Sequence, residues 1–333
     1  MQPLANAHSL MTPALLRRGN EMNTEIRKLT GEVTTGLASD LGQALHGNFS
    51  ALAGVNNALS RLESYNLATN EAGLLAGSMQ SALTAIDDKA MELASDLNRM
   101  GAIWTEARLN RAGSQGKQAF ETAVSMLNSS VGGRSMFSGT SSSSTALPET
   151  DVILDALMGE LAGVTTAAGA ETVVADWFSD PAGFAALYQG GPGREPVTIA
   201  PGERADLGIT ALDGDLRETL KGLAMAALID KGFLAGQEGE REQLLEAASL
   251  GLIAASSDRS LLMARLGTAE YQISSAKARN AAEGTSLQIA RTGMIEADPY
   301  EAATRLKDLE SRLDAFYTLT ARFSRLSLTE YLR

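Results

Sequence analysis

The chain has 333 residues, enough for two or three domains with cores of their own. Only 5% of it is aromatic and its net charge is −12, so the apolar content is mostly small or unbranched, and the basic surface that general nucleic-acid binding needs is missing. The absence of cysteine removes disulfides, thiolate catalysis and zinc sites built on sulfur, and leaves the redox compartment open. Met1 to Met11 contain no Lys or Arg and no sustained apolar core, and nowhere is there a run of about 18–20 apolar residues. The expectation is a soluble chain with no membrane insertion that does not use the general secretory route.

Thr12 before Pro13 reads as an N-cap followed by proline at the first helical position, and predicts a helix from Pro13 to Leu37. Within it Leu15, Met22, Ile26, Leu29 and Val33 fall at steps of seven, four, three and four, the narrow stripe of a coiled-coil seam. Ser39 to Gly47 reads as a connector. Leu52, Val55, Leu59 and Leu62 restart the rhythm, and Met79, Leu83, Ile86, Ala90, Leu93 and Leu97 continue it past an interruption at Asn66, Thr69 and Gly73. A single helix from Phe49 to Arg99 would be about 75 Å long at about 1.5 Å per residue.

Gly101 marks a turn, and a helix is expected over Thr105 to Ser130, striped by Phe120, Val124, Leu127 and Val131 and stopped by Gly132 and Gly133. Ser138 to Thr145, SGTSSSST, reads as a low-complexity polar linker. From Asp151 to Gly236 short apolar runs alternate with Gly and Pro clusters, which predicts a small mixed α and β insert with a helix from Gly214 to Ile229. Long helical character returns at Glu240 and runs to Ile295. Asp298 then caps a last helix that begins at Pro299 and ends near Leu326. Its seam is Leu306, Leu309, Leu313, Phe316 and Phe323, at steps of three, four, three and seven, with Leu326 at its end. A chain that leaves along one set of helices and returns beside it brings its termini to one end.

No constellation for chemistry emerges. His8 and His46 are far apart, with no carboxylate at metal-ligand spacing. Ser114 to Lys117 and Ser274 to Lys277 match the Ser-x-x-Lys spacing of acyl enzymes but lack the accompanying elements. Gly190, Gly191 and Gly193 surround Pro192, with no Gly-Lys-Ser/Thr to make a phosphate loop. Asp213-Gly214-Asp215 lacks the other ligands of a calcium loop. The sequons at Asn48 and Asn128 lie in or beside helical tracts. No catalytic, cofactor-binding or metal residue is assigned, and no cofactor is expected.

Several segments in order resemble flagellins and their hook–filament junction relatives. VTTGLASD at Val33 to Asp40 resembles the end of the family's first helix, and GRSMFSGT at Gly133 to Thr140 its turn into the variable insert. SLLMARLG at Ser260 to Gly267 resembles the return from that insert. IEADPYEAATRL from Ile295 and LDAFYTLTARFSRLSLTEYL from Leu313 resemble the carboxyl end, with SRLSLTEYL closer to the junction branch than to flagellin itself. The flagellin Asp-Asp-Pro is replaced by Asp40-Leu41-Gly42, and the Ile-Asn-Thr opening is missing.

The resemblance implies a mainly α, flagellin-like elongated helical rod of paired N- and C-terminal helices with the mixed insert in the middle. Residues 1–45 and 300–333 would form a terminal coiled-coil domain, 46–140 and 236–299 the rod, and 141–235 the surface insert. It implies a structural protein without enzyme activity, placed between hook-associated protein 1 and flagellin as a ring of identical subunits. Export through the flagellar type III route, without a cleaved signal peptide and with an export chaperone, is part of the same implication. A minor flagellin and a Ser-Lys hydrolase are the competing readings. The assembly residues would be Leu15, Met22, Ile26, Leu29, Val33, Leu306, Leu309, Leu313, Phe316, Phe323 and Leu326. Two seams cannot bury themselves fully in one pair, so both ends are expected to be mobile in the monomer and ordered on assembly.

Overall fold

The computed structural model describes the backbone of residues 3–100 and 104–331, and side-chain surroundings for 13–100 and 104–322. The fold is mainly α. Its helices are α1 (Pro3–Thr35), α2 (Leu41–Ala44), α3 (Ser50–Met100), α4 (Glu106–Leu127), α5 (Thr150–Glu160), α6 (Ala167–Ser179), α7 (Gly214–Asp230), α8 (Glu238–Ala254), α9 (Ser256–Ile295) and α10 (Pro299–Tyr331). Two antiparallel hairpins complete it: β1 (Ser130–Val131) with β2 (Arg134–Ser135), and β3 (Val197–Ala200) with β4 (Glu203–Ala205). Two compact units emerge, residues 1–62 with 282–333 and residues 63–281, and α3 and α9 contribute to both.

Capping sets several of these boundaries. The hydroxyl of Thr105 accepts from the Arg108 amide and that of Thr166 from Gly169, satisfying donors that the first turn leaves free. Asp298 accepts from the amides of Tyr300 and Glu301 at 2.8 and 3.1 Å, with Pro299 opening α10 as expected. The long central helix also forms, as a single α3 of 51 residues. The amino-terminal expectation fails at its start: α1 begins at Pro3, and Pro13 lies inside it. An interior proline removes one rung of the ladder, and a helix this long with a packed face carries that loss. The helix expected to reach Ser130 ends at Leu127, because β1 and β2 turn back at Gly132 and Gly133, both at positive φ. The tract from Glu240 to Ile295 breaks once, at Ala255.

The larger unit owes its packing to small residues. α4 lies against α7 so closely that a Cβ on Gly116 would stand 2.5 Å from the Ala226 Cβ, and one on Gly113 2.8 Å from the Asp230 amide nitrogen. Ala112, Ala119 and Ala123 extend that buried face of α4, and Ala224, Ala226 and Ala227 line α7. Gly222 on α7 makes the same allowance for Leu252 of α8. The abundance of Gly and Ala thus becomes close helix approach, with dispersion contacts between backbones replacing large side chains. Around this layer Phe137, Trp177, Phe178 and Phe184 add aromatic rings to the core, beside Phe120 and Phe233.

The segment read as a polar linker, Ser138 to Thr145, is instead fixed in place. Ser138 is fully buried, its carbonyl accepts from Gly191, and the Thr140 amide donates to the Pro192 carbonyl at 2.9 Å. The Arg194 guanidinium donates to the carbonyls of Gly139 and Ser135. Composition alone reads such serines as solvated, but their backbone partners lie about fifty residues further on.

One ion pair of the larger unit has a buried cation and a partly buried carboxylate. Arg259 on α9 pairs with Asp87 on α3 at 2.6 Å and donates to the Thr219 hydroxyl and to the Leu252 carbonyl near the end of α8. It therefore ties four helices at the break between α8 and α9. Asn280 plays a similar part for β3, donating to the Ile199 carbonyl at 2.9 Å.

Candidate assembly interface

In the smaller unit α1 and α10 run antiparallel. Their join is a short β-bridge between Leu37 and Glu296, in which the Ala38 amide donates to the Ile295 carbonyl and the Ala297 amide to the Gly36 carbonyl. The loop is held from α1 as well: the Ser39 amide donates to the Glu32 carboxylate and the Ser39 hydroxyl to the Lys28 carbonyl.

The two stripes face each other along this pair. Leu29 is buried at 5% exposure; Leu15, Met22, Ile26, Leu306, Leu309, Leu313 and Phe316 are half-buried, and Val33 is exposed. Phe323 and Leu326 lie on the backbone of α10, and their side chains are outside the described residues. Gly19 and Thr320 occupy the missing places where each stripe steps by seven, so among the described residues the seams are 15, 19, 22, 26, 29, 33 and 306, 309, 313, 316, 320. Gly19 is buried against the Phe316 ring, and Asn23 donates to the Gly19 carbonyl and to the Tyr317 hydroxyl. The signal for both was present as a step of seven with one unfilled position. Ala302, also buried, extends the seam of α10 by one further step.

A pair of helices covers each seam from one side only, which is why so many of its members stop at half burial. Beyond the seam the unit also exposes Leu16 at 66%, together with Leu41, Phe49, Ile289, Tyr300, Tyr317 and Leu319. Its charge is balanced, with twelve basic and twelve acidic residues, so the whole net charge of −12 falls on residues 63–281, which hold sixteen basic and twenty-eight acidic. The ion pairs of α1 and α10, such as Lys28 with Glu25 and Arg312 with Asp308, each run within one helix.

Comparison with known proteins bears on this arrangement. Residues 254–332 match the model of the bacterial flagellin C-terminal helical region. That match covers about a quarter of the chain. Its fold is similar to that of a putative flagellar hook-associated protein from Vibrio parahaemolyticus, with a TM-score of 0.52 and 14% identity over 73% of this chain and 95% of that one. It is also similar to FlgL of Bacillus cereus, with a TM-score of 0.50 and 14% identity over 72% of this chain and all of the other. No curated protein matches the sequence. The flagellin-like fold gives the two terminal motifs a joint position, since Leu37 of VTTGLASD bridges Glu296 of IEADPYEAATRL. GRSMFSGT supplies β2 and the buried Met136 and Phe137, and SLLMARLG supplies Leu262 and Leu266 to the core.

The remaining motifs find structural partners. Ser114 donates to the Asp230 carboxylate at 2.7 Å, and the Lys117 ammonium stands near Asp230, Asp151 and Glu121, so neither side chain is aimed at the other as nucleophile and base would be. The Ser274 hydroxyl donates to the Tyr271 carbonyl one turn back. Asn128 is committed to both backbone groups of Leu147, and His46 sits in the turn after α2 at φ +50°. Burial pushes the Asp213 carboxyl up, opposed by the Thr210 amide bonded to it. The hydrogen bond from Lys231 holds the Asp151 carboxyl below the usual range, with Lys117 adding to it, and the same bond raises Lys231. Among the described residues no group of His, Asp or Glu is arranged to hold a metal, and no helix is long and apolar enough to cross a membrane.

Proposed function

We propose that this chain is a structural component of the bacterial flagellum with the role of hook-associated protein 3, joining the hook, through hook-associated protein 1, to the flagellin filament. The observation that carries the reading is the α1 and α10 pair, whose matched seams are only half covered and which also exposes Leu16, Tyr300, Tyr317 and Leu319. Such a surface calls for further copies of the same pair, packed side by side as a ring of identical subunits. In that reading 1–45 with 300–333 form the inner assembly domain, 46–140 with 236–299 the helical rod and 141–235 the surface insert. The chain would leave the cell by flagellar type III export with a chaperone covering its ends, and would lie outside the cell at the hook–filament junction.

The experiment is deletion of the gene, with electron microscopy of the cells and assay of the medium for flagellin. Hooks without filaments and unpolymerised flagellin in the medium are expected. Filaments of normal length on motile cells would overturn the junction role. A minor flagellin is the second reading, and the matched family model, drawn from flagellin itself, favours it. Unaided polymerisation of the purified chain into long filaments would decide for it.

A further inference from the structure

The two sequons of the chain stand in opposite surroundings. Asn128-Ser129-Ser130 is closed to chemistry, because the Asn128 side-chain amide donates to the Leu147 carbonyl at 2.9 Å and its oxygen accepts from the Leu147 amide at 2.8 Å. Asn48-Phe49-Ser50 is open. It lies in the link between α2 and α3, where every residue from His46 to Ser50 is exposed, and the turn that presents it is made by His46 and Gly47, both at positive φ.

The Asn48 side chain is held by its oxygen alone. Oδ1 accepts from the Ser50 hydroxyl at 2.6 Å and from the Ser50 amide at 3.2 Å, while Nδ2 has no hydrogen-bond partner among the described residues. Helix capping does not account for this arrangement. Phe49 holds the cap position of α3, its carbonyl accepting from the Ala53 amide, and a capping side chain bonds the second or third helical amide from that position. Two donors on Oδ1 draw charge out of the amide group and make the Nδ2 protons easier to remove, with the nitrogen left open to a reagent. An exposed asparagine amide with a hydroxyl two residues on is the acceptor pattern of asparagine-linked glycosylation.

We propose that Asn48 is a glycosylation site whose donor is a sugar carried on a diphosphate. In the transfer a bond forms between Nδ2 and the anomeric carbon, the bond from that carbon to the diphosphate oxygen breaks, and one Nδ2 proton leaves with the diphosphate. Ser50 is a positioning residue: its hydroxyl orients and polarises the acceptor and stays unmodified. The assignment rests on this loop and does not depend on the junction role.

The test is peptide mass mapping of the full chain purified from its own cells. Trypsin leaves Asn48 on residues 29–61 and Asn128 on residues 118–134, because Lys28, Arg61, Lys117 and Arg134 bound segments with no Lys or Arg inside. A gain of one or more sugar masses is expected on the first peptide and none on the second. Asn48→Gln and Ser50→Ala should each lose the gain, and Ser50→Thr should keep it. Unmodified chain is then incubated with membranes of the same cells, which hold lipid-linked donors, or with their cytosol and added nucleotide sugars; transfer in one arm names the carrier of the diphosphate. A bare first peptide from the cells, or transfer in neither arm, would overturn the site. So would sugar on that peptide that survives Asn48→Gln or Ser50→Ala, or equal occupancy of the second peptide.

Discussion

The two units of this chain solve opposite problems with the same kind of helix. Residues 63–281 close their core: α4 and α7 meet at glycine and alanine, a buried arginine is paired with a partly buried aspartate, and all the surplus negative charge sits outside. Residues 1–62 and 282–333 leave theirs open, with a half-covered seam, exposed leucine and tyrosine and no net charge. A closed core with a charged shell is kept apart from its copies by like charge, whereas a neutral unit with apolar edges gains by meeting others. The difference between the units is therefore one of completeness.

The comparison breaks most readily at Arg259. Asp87→Ala leaves that guanidinium buried without its carboxylate and is expected to destabilise the larger unit by about 3–5 kcal/mol in urea unfolding. Asp87→Leu with Arg259→Met should recover most of the loss, because desolvating the pair offsets much of its attraction. Next comes Gly116→Ala, expected to cost about 1–3 kcal/mol, since α7 must move away from a new Cβ aimed at its backbone. Neither change should alter the pairing of α1 with α10, and limited proteolysis of the ends checks that.

The opposite pattern is expected from Ile26→Ala and Phe316→Ala. Assembly should weaken by about tenfold or more, while unfolding of the larger unit moves by less than about 0.5 kcal/mol. Equal loss in both readouts would erase the distinction between the units. Gly19→Leu tests the same seam from the other side, by pushing the Phe316 ring out of its notch.

The smallest effect belongs to the exposed cluster at Lys231. The lowered Asp151 contributes stability above the ordinary carboxylate value and loses it as pH falls through its folded value. The raised Lys231 contributes below the ordinary lysine value and loses it as pH rises through its own. Lys231→Met should therefore lower the melting temperature slightly between about pH 5 and pH 9, with the difference closing in stronger acid.

Local patterns in the sequence carried much of this architecture. Three-four spacing located both seams, and Asp298 with Pro299 located the start of α10, because each is a short-range relation between neighbours on one helix. Thr12 with Pro13 misled for the same reason: the dipeptide has the form of a helix start, and only the packed length of α1 decides otherwise. What stayed hidden depends on partners far along the chain. Ser138 and Thr140 are polar in composition yet bonded to the backbone of Gly191 and Pro192, and Arg259 reads as a surface cation until Asp87, Thr219 and Leu252 surround it. Gly19 is intermediate, since the gap in its stripe was visible but the Phe316 ring that fills it was not.

The most direct measurement is complementation of gene-deleted cells with Ile26→Ala and Phe316→Ala combined, after the purified variant is shown to keep the unfolding transition of the larger unit. Hooks that carry no filament, with the variant and flagellin both free in the medium, are the result expected if the open pair is the assembly surface. Filaments of normal length on motile cells would contradict it.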